Sequence, residues 1–501
     1  MGNLLRLSLA LTCIFTLNAN AAVLNAQSLT TEIKKSNAQW TPKDNWVNQL
    51  SVDQVKKMMG FPGKVRIGKD VSFFAKPGMK SLTSDGIDWR NKDGQNWVSP
   101  ILNQGNCGSC VAFASVATLE TQMNISHQYS WLNKRFSTEA LFACGGGGCE
   151  SGWYPTSAAS VLKNQGVPDE ACAPYTMGAT GVNSSCSSIC SDSAQRSQKI
   201  SNSNTPRSVE ATKAALKHGP LMTTLDVYSD FVLYGSGIYK HVTGDYLGGH
   251  AVSIIGFNDE GRYWIIRNSW GADWGESGFG RVSYDDESGV GDQTWGFDLP
   301  AVDGDVAIKN LRDHDFVSGN FSFDAISTFA NTSDLSLQVF GKTGETSTLS
   351  CQTAACNLQL DTTKLSDGRY EAAVSASHGG ATSKSERRYF YVVNKQPENL
   401  AVKFAPKSGL NLGSPLKGRV EFDVTATSNS VPFTGLTLLV KKDGSVIYTK
   451  SADMVLSQMT MGWRTPTVPN GTYQISLMGT IKSNSQQYKA VSNEFTVTVQ
   501  N

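Results

Sequence analysis

A chain of 501 residues has room for about three domains with sizeable cores. Its 44 basic and 43 acidic residues leave a net charge of +1, without the Lys/Arg runs that would hold phosphate backbones or anionic lipid. Nucleic acid is therefore not expected as a partner.

At the N-terminus Arg6 precedes an apolar run, Leu7 to Leu17, and Ala19 and Ala21 stand as an A-x-A cleavage site. The run is shorter than the roughly 20 residues that cross a bilayer, so residues 1–21 read as an export signal. No other stretch reads as a membrane span. Export places the chain in an extracellular or periplasmic space, or in a lysosome-like compartment if the cell is eukaryotic. Ten cysteines are present and Cys13 leaves with the signal. The nine that remain are an odd number, which predicts at least one free thiol in an oxidising compartment.

Residues 22–84 contain a helix-prone piece, "SVDQVKKMMGFPG", after Trp40 and Trp46. Their apolar residues are too few for an independent core. "KPGMKSLTSDG" follows as an exposed linker open to proteolysis. Residues 85–302 mix helical and strand patterns. "SCVAFASVATLETQ" is apolar on nearly every face and predicts a buried helix, whereas "AVSIIGF" and "YWIIRNSWG" predict strands. From 303 onward Ser, Thr, Val and Gly alternate with a period of two, as in Val420, Phe422 and Val424. "LTLLVKKDGSVIYTK" predicts a hairpin turning at Asp443 and Gly444. "LSDGRYEAAV" and "VPNGTYQISL" echo each other, Leu365 against Val468, which predicts two similar all-β sandwich modules, residues 303–395 and 396–501.

The chemistry is carried by "QGNCGSCVAF", Gln104 to Phe113. A zinc site would need a second clustered Cys/His pair, which is not evident. A thioredoxin-like pair would sit after a strand in a βαβ unit, which this region does not resemble. One structural and one reactive thiol remain as the reading, with Cys110 opening the buried helix, where the dipole favours thiolate. A thiolate needs a base and the base an orienter. His250 in "GGHAVSIIGF" and Asn268 in "RNSWG" supply them.

With "NCGSC", "GGHAV" and "NSWG" in this order, residues 85–302 resemble the papain-like cysteine proteases. "YSDFVLYGSGIYKHVTGDYLGGHAV", "CAPY" and "CSSIC" are most similar to cathepsin B. The resemblance implies an α+β domain of two lobes, one helical and one a β-barrel, without metal or cofactor. It assigns Cys110 as nucleophile, His250 as general base and acid, Asn268 as orienter and Gln104 as side-chain donor to the oxyanion. Gly152 matches the position whose backbone meets an extended substrate, and Trp270 the shield over the His250–Asn268 bond. Val111 departs from the family's usual Trp or Tyr.

The same resemblance implies disulfides Cys107–Cys149, Cys144–Cys186 and Cys172–Cys190. Cys351 and Cys356, close in sequence, are expected to close a small loop. "NAQWTPKDNW" and "MMGFPG" resemble a short inhibitory propeptide over residues 22–84. The expected protein is a secreted cysteine endopeptidase made as a zymogen, with protein or peptide substrates and its own propeptide as inhibitor. Two rival readings stay open. One is a dipeptidyl exopeptidase on the same domain. The other is a surface adhesin or carbohydrate binder whose β modules take a surface or glycan ligand beside an inactive protease domain.

Overall fold

The computed structural model describes residues 25–65, 85–130, 134–301, 304–341, 346–395, 397, 399–407, 409–428, 431–453, 458–483 and 486–501. The export signal read at 1–21 and most of the linker lie outside them.

A helix made of apolar residues on every side can only be stable inside a core, and α3, Cys110–Ser126, has fourteen of its seventeen residues buried. Its one buried carboxylate, Glu120, meets Arg135 at 3.0 Å and accepts the Phe136 backbone N–H. Around α3 pack α4, Thr138–Cys144, started by a Ser137 cap, and α5, Pro155–Asn164, started by a proline in the first turn. Phe113, Leu119, Leu141, Phe142 and Leu162 fill this helical lobe.

The second lobe is a largely antiparallel sheet. The strand Tyr246–Asn258 lies between Leu221–Tyr228 and Tyr263–Arg267, and Phe279–Ser283 and Tyr234–Tyr239 continue the sheet to one edge. Phe231, Trp264, Trp270 and Trp274 form its core. Helical and sheet lobes each carry their own apolar cluster, and the ends of α3 and of the strand bearing His250 meet between them.

The N-terminal segment has no core of its own and buries its apolar residues in both lobes. Helix α1, Ala26–Ser36, carries a capping box between Asn25 and Ser28 and inserts Leu29 and Ile33 into the sheet lobe. Trp40–Pro42 then adds an antiparallel strand to the edge strand Tyr234–Tyr239. The Trp40 indole is buried and donates to the Lys240 carbonyl at 2.9 Å. Helix α2, Val52–Met58, capped by Ser51 and Gln54, buries Val55 and Met58.

Beyond residue 304 the described residues form strands joined by loops and two short 3-10 turns, Thr362–Lys364 and Thr465–Thr467. Three- and six-stranded sheets pack around Phe323, Leu337, Val374 and Phe390. Three- and five-stranded sheets pack around Phe422, Leu438, Trp463 and Ile475. The sequence echo has a structural cause: Tyr370 and Tyr473 are both buried, and each hydroxyl donates to the carbonyl four residues earlier, Ser366 at 2.9 Å and Pro469 at 2.6 Å. This is the tyrosine corner of β-sandwiches. Asp443 and Gly444, with φ of 51° and 79°, make the two-residue turn between paired Lys442 and Ser445.

Four disulfides are formed: Cys107–Cys149, Cys144–Cys186, Cys172–Cys190 and Cys351–Cys356. Among the described residues Cys110 is the free cysteine. Among them, too, no helix is long and apolar enough to cross a membrane.

Candidate active site

Cys110 is the first residue of α3 and is fully buried. His250 sits in the long central strand and Asn268 just past the end of Tyr263–Arg267, and both are buried. His250 Nε2 lies 2.8 Å from Asn268 Oδ1. The same Oδ1 accepts the Ser269 backbone N–H at 2.8 Å, which identifies it as the amide oxygen. Nε2 must therefore carry the ring proton, leaving the Nδ1 lone pair free, and Nδ1 is buried without a hydrogen-bond partner. Ala251, the residue after His250, brings its backbone within hydrogen-bonding reach of the Cys110 sulfur. Thiol and imidazole thus come from opposite lobes to one point.

Gln104 is fixed from both ends of its amide. Its Oε1 accepts from Ser269 Oγ at 2.7 Å, so the Nε2 donors are aimed at the Cys107 and Met58 carbonyls, each at 2.9 Å. The Met58 carbonyl belongs to the N-terminal segment, so the segment takes one of the two Gln104 donors. Trp270 covers His250, ring centroids 4.8 Å apart. Gly152 has φ of 69°, and a Cβ there would fall 2.1 Å from the Gly60 carbonyl oxygen. The Gly60 backbone lies against it there.

The segment itself runs across the cleft. The Trp46 indole donates to the Trp270 carbonyl, the Gly60 carbonyl accepts from Trp153, and Phe61 donates to the Gly249 carbonyl, next to His250. A Cβ on Gly60 would stand 1.9 Å from the Gly108 carbonyl oxygen, so only glycine passes over the thiol. This cover decides the electrostatics. Burial pushes the Cys110 thiol up to about 12, against the helix terminus and backbone donors that favour thiolate, and pushes His250 down to about 4 despite its bond to Asn268. The covered pair is uncharged at neutral pH, so burial outweighs the helix-terminus effect that the sequence suggested.

Ser269, Ser109 and Tyr175 were not singled out by sequence. Ser269 positions both Asn268 and Gln104. The Tyr175 hydroxyl bonds the Gln104 carbonyl at 2.9 Å and Ser109 Oγ at 2.7 Å. All three stand inside or beside the quoted "NSWG", "CGSC" and "CAPY" motifs, and that adjacency was the available signal. Two further histidines stand beside carboxylates: His241 Nδ1 is 2.9 Å from buried Asp230 and His127 is 2.9 Å from Asp305.

The sequence profile of the papain family cysteine proteases matches residues 83–295. Cathepsin B-like CP3 of Giardia intestinalis is 35% identical over 234 residues, which are 42% of this chain and 73% of that protein. Its cathepsin B-like CP2 is 36% identical over 200 residues, 37% and 64% respectively. Among solved structures, proCathepsin B S9 from Trypanosoma congolense is matched over its whole length and 56% of this chain, at 21% identity and a TM-score of 0.45. The chain belongs to the papain family of cysteine proteases. Within that family its similarity is to cathepsin B-like members, and the hydrolase class follows from membership.

Proposed function

We propose that the chain is exported as a zymogen and that its processed form is an endopeptidase acting through Cys110. The observation that carries this reading is the buried, free thiol at a helix start, within reach of the backbone next to a histidine whose tautomer is set by Asn268 and whose Nδ1 is unpaired. Cys110 Sγ attacks the scissile carbonyl carbon and His250 Nδ1 takes the thiol proton. The oxyanion accepts from Gln104 Nε2 and the Cys110 backbone N–H. Collapse of the intermediate breaks the C–N bond while His250 returns the proton to the leaving amine. A water deprotonated by His250 then hydrolyses the thioester. The covering segment, residues 25–65, acts as the inhibitor, because its Met58 carbonyl and Gly60 backbone occupy the places of substrate.

Internal cleavage is favoured by the stretch from Cys172 to Cys186, which has no histidine to hold a terminal carboxylate. It is pinned down instead, since Glu139 accepts the backbone N–H groups of Thr176 and Met177 at 2.9 and 3.2 Å. A dipeptidyl exopeptidase is the second reading, supported by one observation: the strand Gln458–Arg464 packs on the short helix Met177–Thr180 within that stretch. Peptides blocked at both ends decide between them. Internal products identified by mass spectrometry support the endopeptidase, and stepwise loss of dipeptides from free ends only would replace it.

A further inference from the structure

We infer that the second β module is a wall of the substrate cleft, a polypeptide-binding surface that holds α2 in the precursor and a stretch of a long substrate afterwards. The inference rests on the protease reading above.

The cleft has two sides about the Gln104 donors. Residues 60–65 run past Gly152 and Gly249 on one side, and α2 lies on the other, next to the Cys172–Cys186 stretch. There Lys57 donates to the Gly181 carbonyl at 3.0 Å and pairs with Glu150. One turn earlier on the same helix, α2 meets the second module. Gln54 Nε2 donates to Glu421 Oε1 at 3.1 Å, and Glu421 Oε2 takes the Lys407 ammonium at 2.8 Å. An open groove of about 430 Å³ lies between them, lined by Ser51 and Gln54 of the helix and by Lys407, Leu410, Val420 and Glu421 of the module. The strand Gln458–Arg464 also packs on the 3-10 turn Val47–Gln49 of the N-terminal segment as well as on Met177–Thr180.

The module does not depend on the segment for its place. It shares an apolar cluster with the first module through Val393, with Phe316 and Tyr391 packed against it. The first module is fastened to the helical lobe by buried charges: Lys134 Nζ stands 2.9 Å from Asp305 and 3.1 Å from Glu386. When residues 25–65 leave, the surface carrying Lys407, Leu410 and Glu421 stays beside the cleft and is no longer covered by α2. It offers the Lys407–Glu421 ion pair and the partly exposed Leu410 to a long polypeptide in the cleft. A polypeptide long enough to reach it gains contacts that a short peptide lacks.

The test uses the processed full chain, wild-type and Glu421→Lys, with concentrations set by titration of the thiol. Inhibition by a peptide of residues 44–65 is measured, and kcat/KM on unfolded, alkylated casein is divided by kcat/KM on a short blocked peptide. The expected result is an inhibition constant about tenfold higher in the variant, the scale of a hydrogen bond to a charged group, and a lower casein-to-short-peptide ratio. Hydrogen exchange on the wild-type chain provides a readout independent of the variant's folding: adding the peptide should protect residues 404–424. An unchanged inhibition constant and ratio, or no protection there, would overturn the inference. A wild-type chain that cleaves neither substrate would sink the protease reading instead, and the exchange measurement would still decide the surface.

Discussion

Residues 25–65 and the first β module both lie against the protease domain, and they are held by opposite chemistry. The N-terminal segment docks through Leu29, Ile33, Trp40, Val47 and Met58, with one added strand and backbone contacts along the cleft. The module docks through charges. Lys134 bridges Asp305 and Glu386, Arg196 pairs with Asp169 and reaches Glu371, and Arg387 joins Asp192 at 3.2 Å. Apolar contact without a core of its own makes a piece that unfolds once it is cut loose. A domain with its own core, joined by desolvated charges, is a permanent fixture whose charges must stay paired.

The largest effect should come from breaking that fixture. Lys134→Ala takes the shared cation from Asp305 and Glu386, which keep His127 and Arg388 beside them, and costs about 3 kcal/mol, the lower end for a broken buried pair. Thermal unfolding should begin at a lower temperature. If the melting curve is unchanged, the ion pairs are incidental. On the detachable side, Trp40→Ala should cost about 3 kcal/mol of the segment's association, raising the inhibition constant of a peptide of residues 25–65 on the order of a hundredfold. A change below about threefold would mean the indole is not an anchor.

Acid should act on the segment through His250. Cover holds this imidazole down to about 4, while an uncovered ring returns toward the ordinary 6.5. Between those values the covered state binds fewer protons than the open one, so the segment's hold is full above pH 6.5 and declines as pH falls toward 4. The decline is about tenfold per pH unit inside the window. Inhibition constants measured from pH 7.5 to 4.5 check the sign, and tighter binding in acid would refute it.

The smallest effect is expected inside the second module. Tyr473→Phe removes the corner hydrogen bond to Pro469 and should cost about 1 kcal/mol, seen as a small loss of denaturant stability with hydrolysis unaltered.

How much of this was legible follows the same division. Cys110, His250, Asn268 and Gln104 lie within short motifs, and the structure brings them together although 164 positions separate Gln104 from Asn268. The paired tyrosines were visible as an echo and the Asp443–Gly444 turn as a dipeptide. Trp40–Pro42 was not readable as a strand, since three residues ending in proline show no period and are strand only because the edge Tyr234–Tyr239 accepts them. Lys134, Asp305 and Glu386 look like solvated surface in sequence. Their burial depends on two separately folded units meeting, which no local pattern encodes. The packing of Gln458–Arg464 on Met177–Thr180 was hidden for the same reason.

The central claim is that Cys110 is the nucleophile held silent under residues 58–61. It is tested most directly by following hydrolysis of a doubly blocked peptide by the processed chain and by its Cys110→Ala variant, with circular dichroism on both. The account predicts turnover in the first, none above background in the second, and the same spectrum from each. Hydrolysis retained by a folded Cys110→Ala chain would contradict it.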